Sequence, residues 1–127
     1  MSSAPNENVS RWISAQIAPD LFTTTISLAE VLYGIELLPI GKRRNALLFS
    51  AESMFGRLFS GRILVFDDPA ARAFPAIALE RRRRGRPITL FDAQIAAITK
   101  ASGAILATRN SADFEHCGIR LVNPWVD

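Results

Sequence analysis

The sequence predicts a single α/β domain with a parallel sheet, and three observations lead to this prediction. Short β-branched and aliphatic segments alternate with segments of helical periodicity along the chain, which is the pattern of parallel α/β folds. The 127 residues are the usual size of one domain. No repeat, low-complexity tract or linker divides them, so we expect one domain over residues 1–127.

Four segments have the composition of short strands. They are residues 22–26, 62–66, 104–108 and 119–122. Helical periodicity predicts helices between them. These are residues 8–17, 27–38, 43–59, 68–84 and 89–102, with a single turn at 111–115. We expect Phe49 and Phe55 to pack in the core, Asp68-Pro69 to cap and open its helix, and Pro75 to kink that helix or break its first turn.

Composition restricts the location of the protein. Hydrophobic residues make up 49% of the chain, and the one cysteine, Cys117, cannot form an internal disulfide. This cysteine usage suits a reducing compartment. No apolar run reaches the roughly 18 residues of a membrane-spanning helix, and residues 1–8 lack the features of an export signal. We therefore expect a cytoplasmic protein with no membrane association.

Two acidic residues sit where a helix cap would place them. Ser27 with Glu30 and Thr89 with Asp92 both have the spacing of a capping box, in which the hydroxyl and the acid each bind a backbone amide of the first turn. Asp113 could cap its own short turn in the same way. Each acid taken alone therefore has an explanation that requires no catalytic role.

The combination of polar residues is more specific than any one of them. Glu30, Asn110 and Asp113 all follow predicted strands closely, and Asp92 opens an apolar helix. In parallel α/β sheets, sites form beyond the carboxyl ends of the strands. Carboxylates repel one another unless a cation lies between them, and Mg²⁺ and Mn²⁺ prefer oxygen ligands. A metal-dependent nuclease site is therefore one interpretation, since such a metal can activate water and stabilise charge on a phosphate.

The basic residues are unevenly distributed. Five of the fifteen arginines and lysines fall within residues 81–86, a cluster that could neutralise nucleic-acid phosphates. A solvated helix end is the alternative, because cations favour the C-terminal end of the helix dipole. Other site types are poorly supported: His116 and Cys117 lack further zinc ligands, and no nucleotide-binding glycine motif is present.

Four segments in order resemble the PIN-domain ribonucleases, and most closely the toxin subunits of the VapBC and FitAB toxin–antitoxin systems. They are residues 25–34 (TISLAEVLYG), 92–96 (DAQIA), 107–114 (ATRNSADF) and 122–125 (VNPW). Residues 61–67 (GRILVFD) and 123–127 (NPWVD) are typical of the FitB-like branch. The resemblance covers nearly the whole chain.

This resemblance implies an α/β/α sandwich with a mostly parallel sheet and Mg²⁺- or Mn²⁺-dependent cleavage of RNA. It also implies homodimers that a cognate antitoxin silences. Carried onto this sequence, Glu30 and Asp92 match the family's second and third acids. Asn110 stands where members have an acid or an Asn, and Asp113 is the remaining carboxylate of that loop. The resemblance thus implies metal ligation by Asp92, Glu30 and Asp113, with Asn110 completing the catalytic site.

The family opens on an apolar strand that ends in the first ligand Asp, and we expect this strand and its Asp to be missing here, because residues 1–6 (MSSAPN) resemble the segment that follows it. The leading hypothesis is a toxin that cleaves RNA as a metal-dependent endoribonuclease. Two alternatives are open: a catalytically impaired PIN-domain module that binds an antitoxin or nucleic acid without cleaving, and a simple basic nucleic-acid binder built on residues 81–86.

Overall fold

The computed structural model of the protein describes residues 22–108 and 110–123. The predicted helix at residues 8–17 and the expected absence of a first strand both concern parts of the chain outside these ranges. Among the described residues, no helix has the length and apolar character needed to cross a membrane.

Strands and helices alternate in the order that the sequence predicts. The elements are β1 (Thr23–Thr24), α1 (Thr25–Glu36), α2 (Lys42–Ser53), a π-helical turn (Met54–Leu58), β2 (Ile63–Leu64), α3 (Asp68–Arg83), α4 (Leu90–Ser102), β3 (Ile105–Ala107), a 3-10 turn (Ser111–Phe114) and β4 (Arg120–Val122). The α/β fold class is confirmed, and every predicted strand in the described ranges is present, although each is shorter than predicted.

The four strands form two parallel pairs. In the first pair, β1 lies beside β2 with Thr23 opposite Ile63. In the second pair, β3 lies beside β4 with Leu106 opposite Leu121. Within the described part of the chain, these pairs are separate two-stranded sheets. Both pairings are parallel, as predicted, and place the carboxyl ends of paired strands on the same side.

The first helix begins two residues earlier than predicted, because Thr24 and not Ser27 is its N-cap. The Thr24 side chain is buried and its Oγ1 accepts a hydrogen bond from the Ser27 amide at 3.0 Å. The β-branched run that predicted a strand at residues 22–26 is therefore divided between β1 and the first turn of α1. A threonine favours an extended backbone and also caps helices well, and here it does both.

The third helix also differs in its start and its continuity. Its N-cap is Asp67, whose Oδ1 accepts from the Ala70 amide at 3.1 Å, so the predicted cap at Asp68 was one residue too late. Pro75 lies inside α3 without interrupting it, so of the two predicted alternatives, a kink or a broken first turn, the broken turn is wrong. Gly85 follows the helix with φ of +71°, a left-handed conformation that glycine adopts without strain.

The helix predicted at residues 43–59 consists of two parts, α2 and the π-helical turn that continues it. Leu47 and Ala51 from its apolar stripe pack against Ile35 of α1, and Phe55 is buried as predicted. Phe49, however, is 75% exposed. The prediction that it lies in the core was wrong, because the buried stripe of α2 passes through Leu47 and Ala51 and leaves Phe49 on another face.

The main core forms where α3 packs against α4. Ile77 of α3 contacts a surface of α4 made by Ile95, Ala96 and Ala97. The alanines are fully buried, and their small side chains allow close approach of the two helix backbones. Phe114 and Cys117, from the segment after β3, close the same cluster. This packing joins α3 and α4 to the segment after β3.

We predict that Ile77→Ala will destabilise the protein by about 2–4 kcal/mol, since it removes buried methylenes and leaves a cavity. Leu79→Ala on the same helix is the matched control: Leu79 is 46% exposed, whereas Ile77 is 3% exposed. The control should cost less than about 1 kcal/mol. Urea unfolding of both variants would measure the difference, and equal losses would contradict this description of the core.

Candidate functional site

Asp92 is the third residue of α4, and its position follows from the cap of that helix. The N-cap is Thr89, whose Oγ1 accepts a hydrogen bond from the Asp92 amide at 3.2 Å. The capping box predicted for Thr89 and Asp92 therefore has its expected start. The Asp92 side chain is partly buried. A capping acid and a site residue are compatible here, because one carboxylate has several acceptor positions.

Glu30 has no such capping role. Since α1 begins at Thr25, Glu30 is its sixth residue and lies in the second turn, beyond the free amides of the helix start. The predicted capping box of Ser27 and Glu30 was wrong. Glu30 instead lines a cavity of about 300 Å³ between α1 and α2, together with Gly34, Leu38 and Arg43. Its carboxylate is accessible there to a ligand.

Asp113 and Asn110 lie in the segment that follows β3. The Asn110 amide donates to Thr108 Oγ1 at 3.1 Å, and the Asp113 amide donates to the Asn110 carbonyl at 2.9 Å. These two bonds shape the 3-10 turn and leave both side chains exposed. Asn110 precedes this turn, but its side chain makes no capping hydrogen bond.

Asp92 interacts electrostatically with both Glu30 and Asp113. Burial raises the pKa of Glu30, and the charge of Asp92 raises it further. Burial also raises the pKa of Asp92, against the lowering effect of a side-chain hydrogen bond from Thr89. The Asp113 charge then adds to the rise, whereas the Arg81 charge opposes it. Because charges interact appreciably only when they are near, Glu30 and Asp113 both lie within electrostatic reach of Asp92.

These residues suit a hard divalent cation in their chemistry, since carboxylate oxygens are its preferred ligands. A cation beside Asp92 would also relieve the repulsion, which adds to the effect of burial on the pKa values of Glu30 and Asp92. In residues 22–108 and 110–123, no group of three acidic, histidine or cysteine side chains is close enough to hold one ion. The acids approach in pairs, Glu30 with Asp92 and Asp92 with Asp113, and no interaction ties the Asn110 side chain to either pair.

Arg81 is a residue of this region that the sequence did not single out. It is only 5% exposed. Its Nε donates to the Arg86 carbonyl at 2.7 Å, and its Nη1 donates to the carbonyls of Asp113 and Glu115. In the sequence Arg81 was one member of a basic cluster, and nothing in a run of arginines marks which of them is buried.

The remaining arginines of that cluster divide into two kinds. Arg84 pairs with Glu80 at 2.7 Å and Arg86 pairs with Glu115 at 2.8 Å. Arg82 and Arg83 are exposed and make no ion pair or hydrogen bond with another described side chain. Within residues 81–86, one arginine is therefore buried, two form ion pairs and two are exposed without a described side-chain partner.

Comparison with known proteins identifies a family and relatives that this chain resembles. The family model of the PIN domain matches residues 2–118. Toxin FitB of Neisseria gonorrhoeae is 36% identical over 123 residues, which are 97% of this chain and 88% of FitB. VapC ribonuclease Y4jK of Sinorhizobium fredii is 34% identical over 95% of this chain and 86% of its own length.

A solved structure agrees with these relatives in fold. The crystal structure of FitAcB from Neisseria gonorrhoeae contains a chain that superposes with a TM-score of 0.87 and 35% identity. The match covers 98% of this chain and 89% of that one.

We predict that Asp92→Asn will make the protein more stable at neutral pH. Both raised pKa values mean that the folded state holds protons more tightly than the unfolded state, whose carboxyls keep their ordinary values of 3.8 for Asp and 4.5 for Glu. Stability therefore falls as pH rises from these ordinary values through the folded pKa values. The free energy of unfolding of Asp92→Asn should therefore fall less than that of the wild type as pH rises, and the two proteins should be equally stable near pH 4.

Urea unfolding between pH 4 and 7.5 would measure this effect, with Glu52→Gln as the control, because Glu52 is an exposed acid of α2. If Asp92→Asn and Glu52→Gln had the same pH profile as the wild type, the electrostatic description of Asp92 would be wrong.

Proposed function

This chain belongs to the PIN-domain family, and we propose that it is the toxin of a type II toxin–antitoxin system that cleaves RNA as a metal-dependent endoribonuclease. One observation carries the proposal. Glu30 of α1 and Asp113 of the segment after β3 both interact electrostatically with Asp92 of α4. The relative named Toxin FitB supports the toxin role, and the relative named VapC ribonuclease supports the cleavage of RNA.

In the proposed site Asp92 is the ligand common to two pairs of carboxylates, Glu30 with Asp92 and Asp92 with Asp113. A bound Mg²⁺ or Mn²⁺ would supply a Lewis acid that activates water and neutralises charge on the scissile phosphate. Asn110 can donate its side-chain amide to a phosphate oxygen or to a carboxylate. It adds no negative charge to a site that would receive a polyanion.

The partial burial of Asp92 favours metal binding. A carboxylate that loses part of its hydration holds a cation more strongly than a fully solvated one. The repulsion between Glu30 and Asp92 also means that a cation stabilises the arrangement when it binds. Glu30 borders the cavity between α1 and α2, which gives a substrate a route to one side of the acids.

The proposed partners follow from the same assignment. They are an RNA substrate, a cognate antitoxin and a second copy of the chain in a homodimer. The similarity to a chain in FitAcB supports the antitoxin. We propose the cytoplasm as the location, which the single cysteine and the RNA substrate support.

A second candidate is a PIN-domain module that binds an antitoxin or nucleic acid without cleaving. The observation that favours it is the pairwise approach of the acids, since no three of the described ones are near enough to share an ion. It predicts partner binding in the absence of any metal-dependent cleavage.

We predict that the wild-type protein will cleave single-stranded RNA only with Mg²⁺ or Mn²⁺, and that Asp92→Asn will lower the rate at least about 100-fold, because the shared ligand loses its charge. Asp68→Asn is the matched control: Asp68 is an exposed aspartate in the first turn of α3. Its rate should stay within about twofold of wild type.

Gel assays of labelled RNA with and without EDTA would measure these rates. Growth arrest on expression, lost in Asp92→Asn, would be the corresponding result in cells. If the wild type bound RNA but never cleaved it under any metal condition, the non-cleaving module would be the better assignment.

We predict that the double change Arg82→Gln and Arg83→Gln will weaken RNA binding and make it less dependent on salt. Each lost phosphate contact reduces the slope of log K against log salt by about 0.7 for a single strand. Arg84→Gln is the control, because Arg84 is already paired with Glu80. Fluorescence anisotropy from 50 to 300 mM salt would measure both, and an unchanged slope in the double variant would remove these arginines from the RNA surface.

A further inference from the structure

Arg81 is a buried cation at the junction of the elements that carry the acids. It is the third residue from the end of α3, and only 5% of it is exposed. A buried guanidinium requires partners for its donors, because desolvation without hydrogen bonds is costly. The identity of these partners shows what the residue connects.

On one side, the guanidinium holds the connection from α3 to α4. Arg81 Nε donates to the carbonyl of Arg86 at 2.7 Å, and the Arg86 amide returns a bond to the Arg81 carbonyl at 2.9 Å. Three residues later comes Thr89, the N-cap of the helix on which Asp92 lies. The start of α4 is thus held to the end of α3 through Arg81.

On the other side, the same guanidinium holds the segment after β3. Its Nη1 donates to the carbonyl of Asp113 and to that of Glu115, the latter at 3.3 Å. It also lies 3.8 Å from the Cys117 Sγ. The bond to Asp113 fixes the backbone of the residue whose carboxylate acts on Asp92. One planar group therefore spans the two segments that carry Asp92 and Asp113.

The partners of Arg81 are neutral, which is unusual for a buried arginine. Burial raises the pKa of the Cys117 thiol, so this neighbour remains uncharged at neutral pH. The ion pairs formed among the described residues do not include Arg81. Its charge instead acts on Asp92, whose pKa it lowers. Arg81 is thus coupled to the acids both by backbone bonds and by charge.

We propose that Arg81 is a positioning residue, which sets the distance between Asp92 and Asp113 by bonding both of their segments at once. Its meaning for catalysis rests on the proposed function. Arg81 donates hydrogen bonds to backbone carbonyls and touches neither substrate nor metal in this role. Lysine cannot replace it. The guanidinium fork reaches the Arg86 carbonyl on one side and the Asp113 carbonyl on the other, and one ammonium nitrogen cannot reach both.

The test compares Arg81→Lys, which keeps the charge and loses the two-sided bridge, with Arg82→Lys. Arg82 is the next residue of the same helix and is exposed, so its change controls for the loss of one guanidinium. Circular dichroism and thermal unfolding would first establish that both variants are folded at the assay temperature. All further measurements are made well below the lower unfolding midpoint.

Three readouts are then taken on the full chain. Amide hydrogen exchange of residues 110–117 measures how firmly the Asp113 segment is held. Electron paramagnetic resonance titration with Mn²⁺ alone measures metal affinity without catalysis. RNA cleavage with Mn²⁺ separates kcat from KM.

For Arg81→Lys we expect exchange in residues 110–117 to be at least about tenfold faster and Mn²⁺ affinity at least about tenfold weaker, an effect of the size found when groups that orient metal ligands are lost. The kcat value should fall by about tenfold or more while KM changes by less than about threefold, since substrate contacts are retained. Arg82→Lys should match the wild type in exchange and in Mn²⁺ affinity.

Two results would overturn the positioning role. One is unchanged exchange in Arg81→Lys, which would mean that the bridge does not hold the segment. The other is faster exchange with unchanged Mn²⁺ affinity and kcat, which would make Arg81 a purely structural residue. A wild-type protein that neither binds Mn²⁺ nor cleaves RNA would overturn the proposed function itself, and the positioning role with it. The wild-type measurements thus separate the two failures.

Discussion

The burial of α4 is the constraint on which the rest of the structure depends. Its apolar residues are not confined to one stripe, since Ala93 and the run from Ile95 to Thr99 are all buried. A helix that is apolar on most sides must be covered on most sides. For this reason α3, the segment after β3 and part of α1 all pack around it. Asp92 lies in the first turn of this covered helix.

Charge is the second organising feature, and it opposes the first. Packing around α4 brings Glu30 and Asp113 near Asp92, although like charges at this distance destabilise the folded state. The raised pKa values of Glu30 and Asp92 come chiefly from burial, and this repulsion adds to the rise. Functional sites commonly retain such conflicts, because a bound ligand resolves them. Arg81 is a buried cation in the same region, and its charge offsets part of the repulsion.

Much of this architecture could be predicted, because local chemistry decides it. The Thr89 cap, the glycine end of α3 at Gly85 and the four strand segments follow from residue type and spacing. The errors arose where two local rules compete. Thr24 could continue a strand or cap a helix, and the choice moved Glu30 from a capping position to the second turn of α1. Phe49 followed an apolar pattern, yet only the packing of α1 against α2 decided which face was buried.

The sequence by itself determined the fold class, the order of elements and the candidate acids, since periodicity, caps and motif order are properties of neighbouring residues. The tertiary structure alone decided which acids meet. It brought Glu30 and Asp113 within electrostatic reach of Asp92, left the Asn110 side chain without a capping hydrogen bond, and separated Arg81 from the other arginines of its run. The physical reason is that burial and charge interaction depend on distance in space. Residues 81 and 113 are remote in the chain, and only the packing of α3 on α4 brings them together.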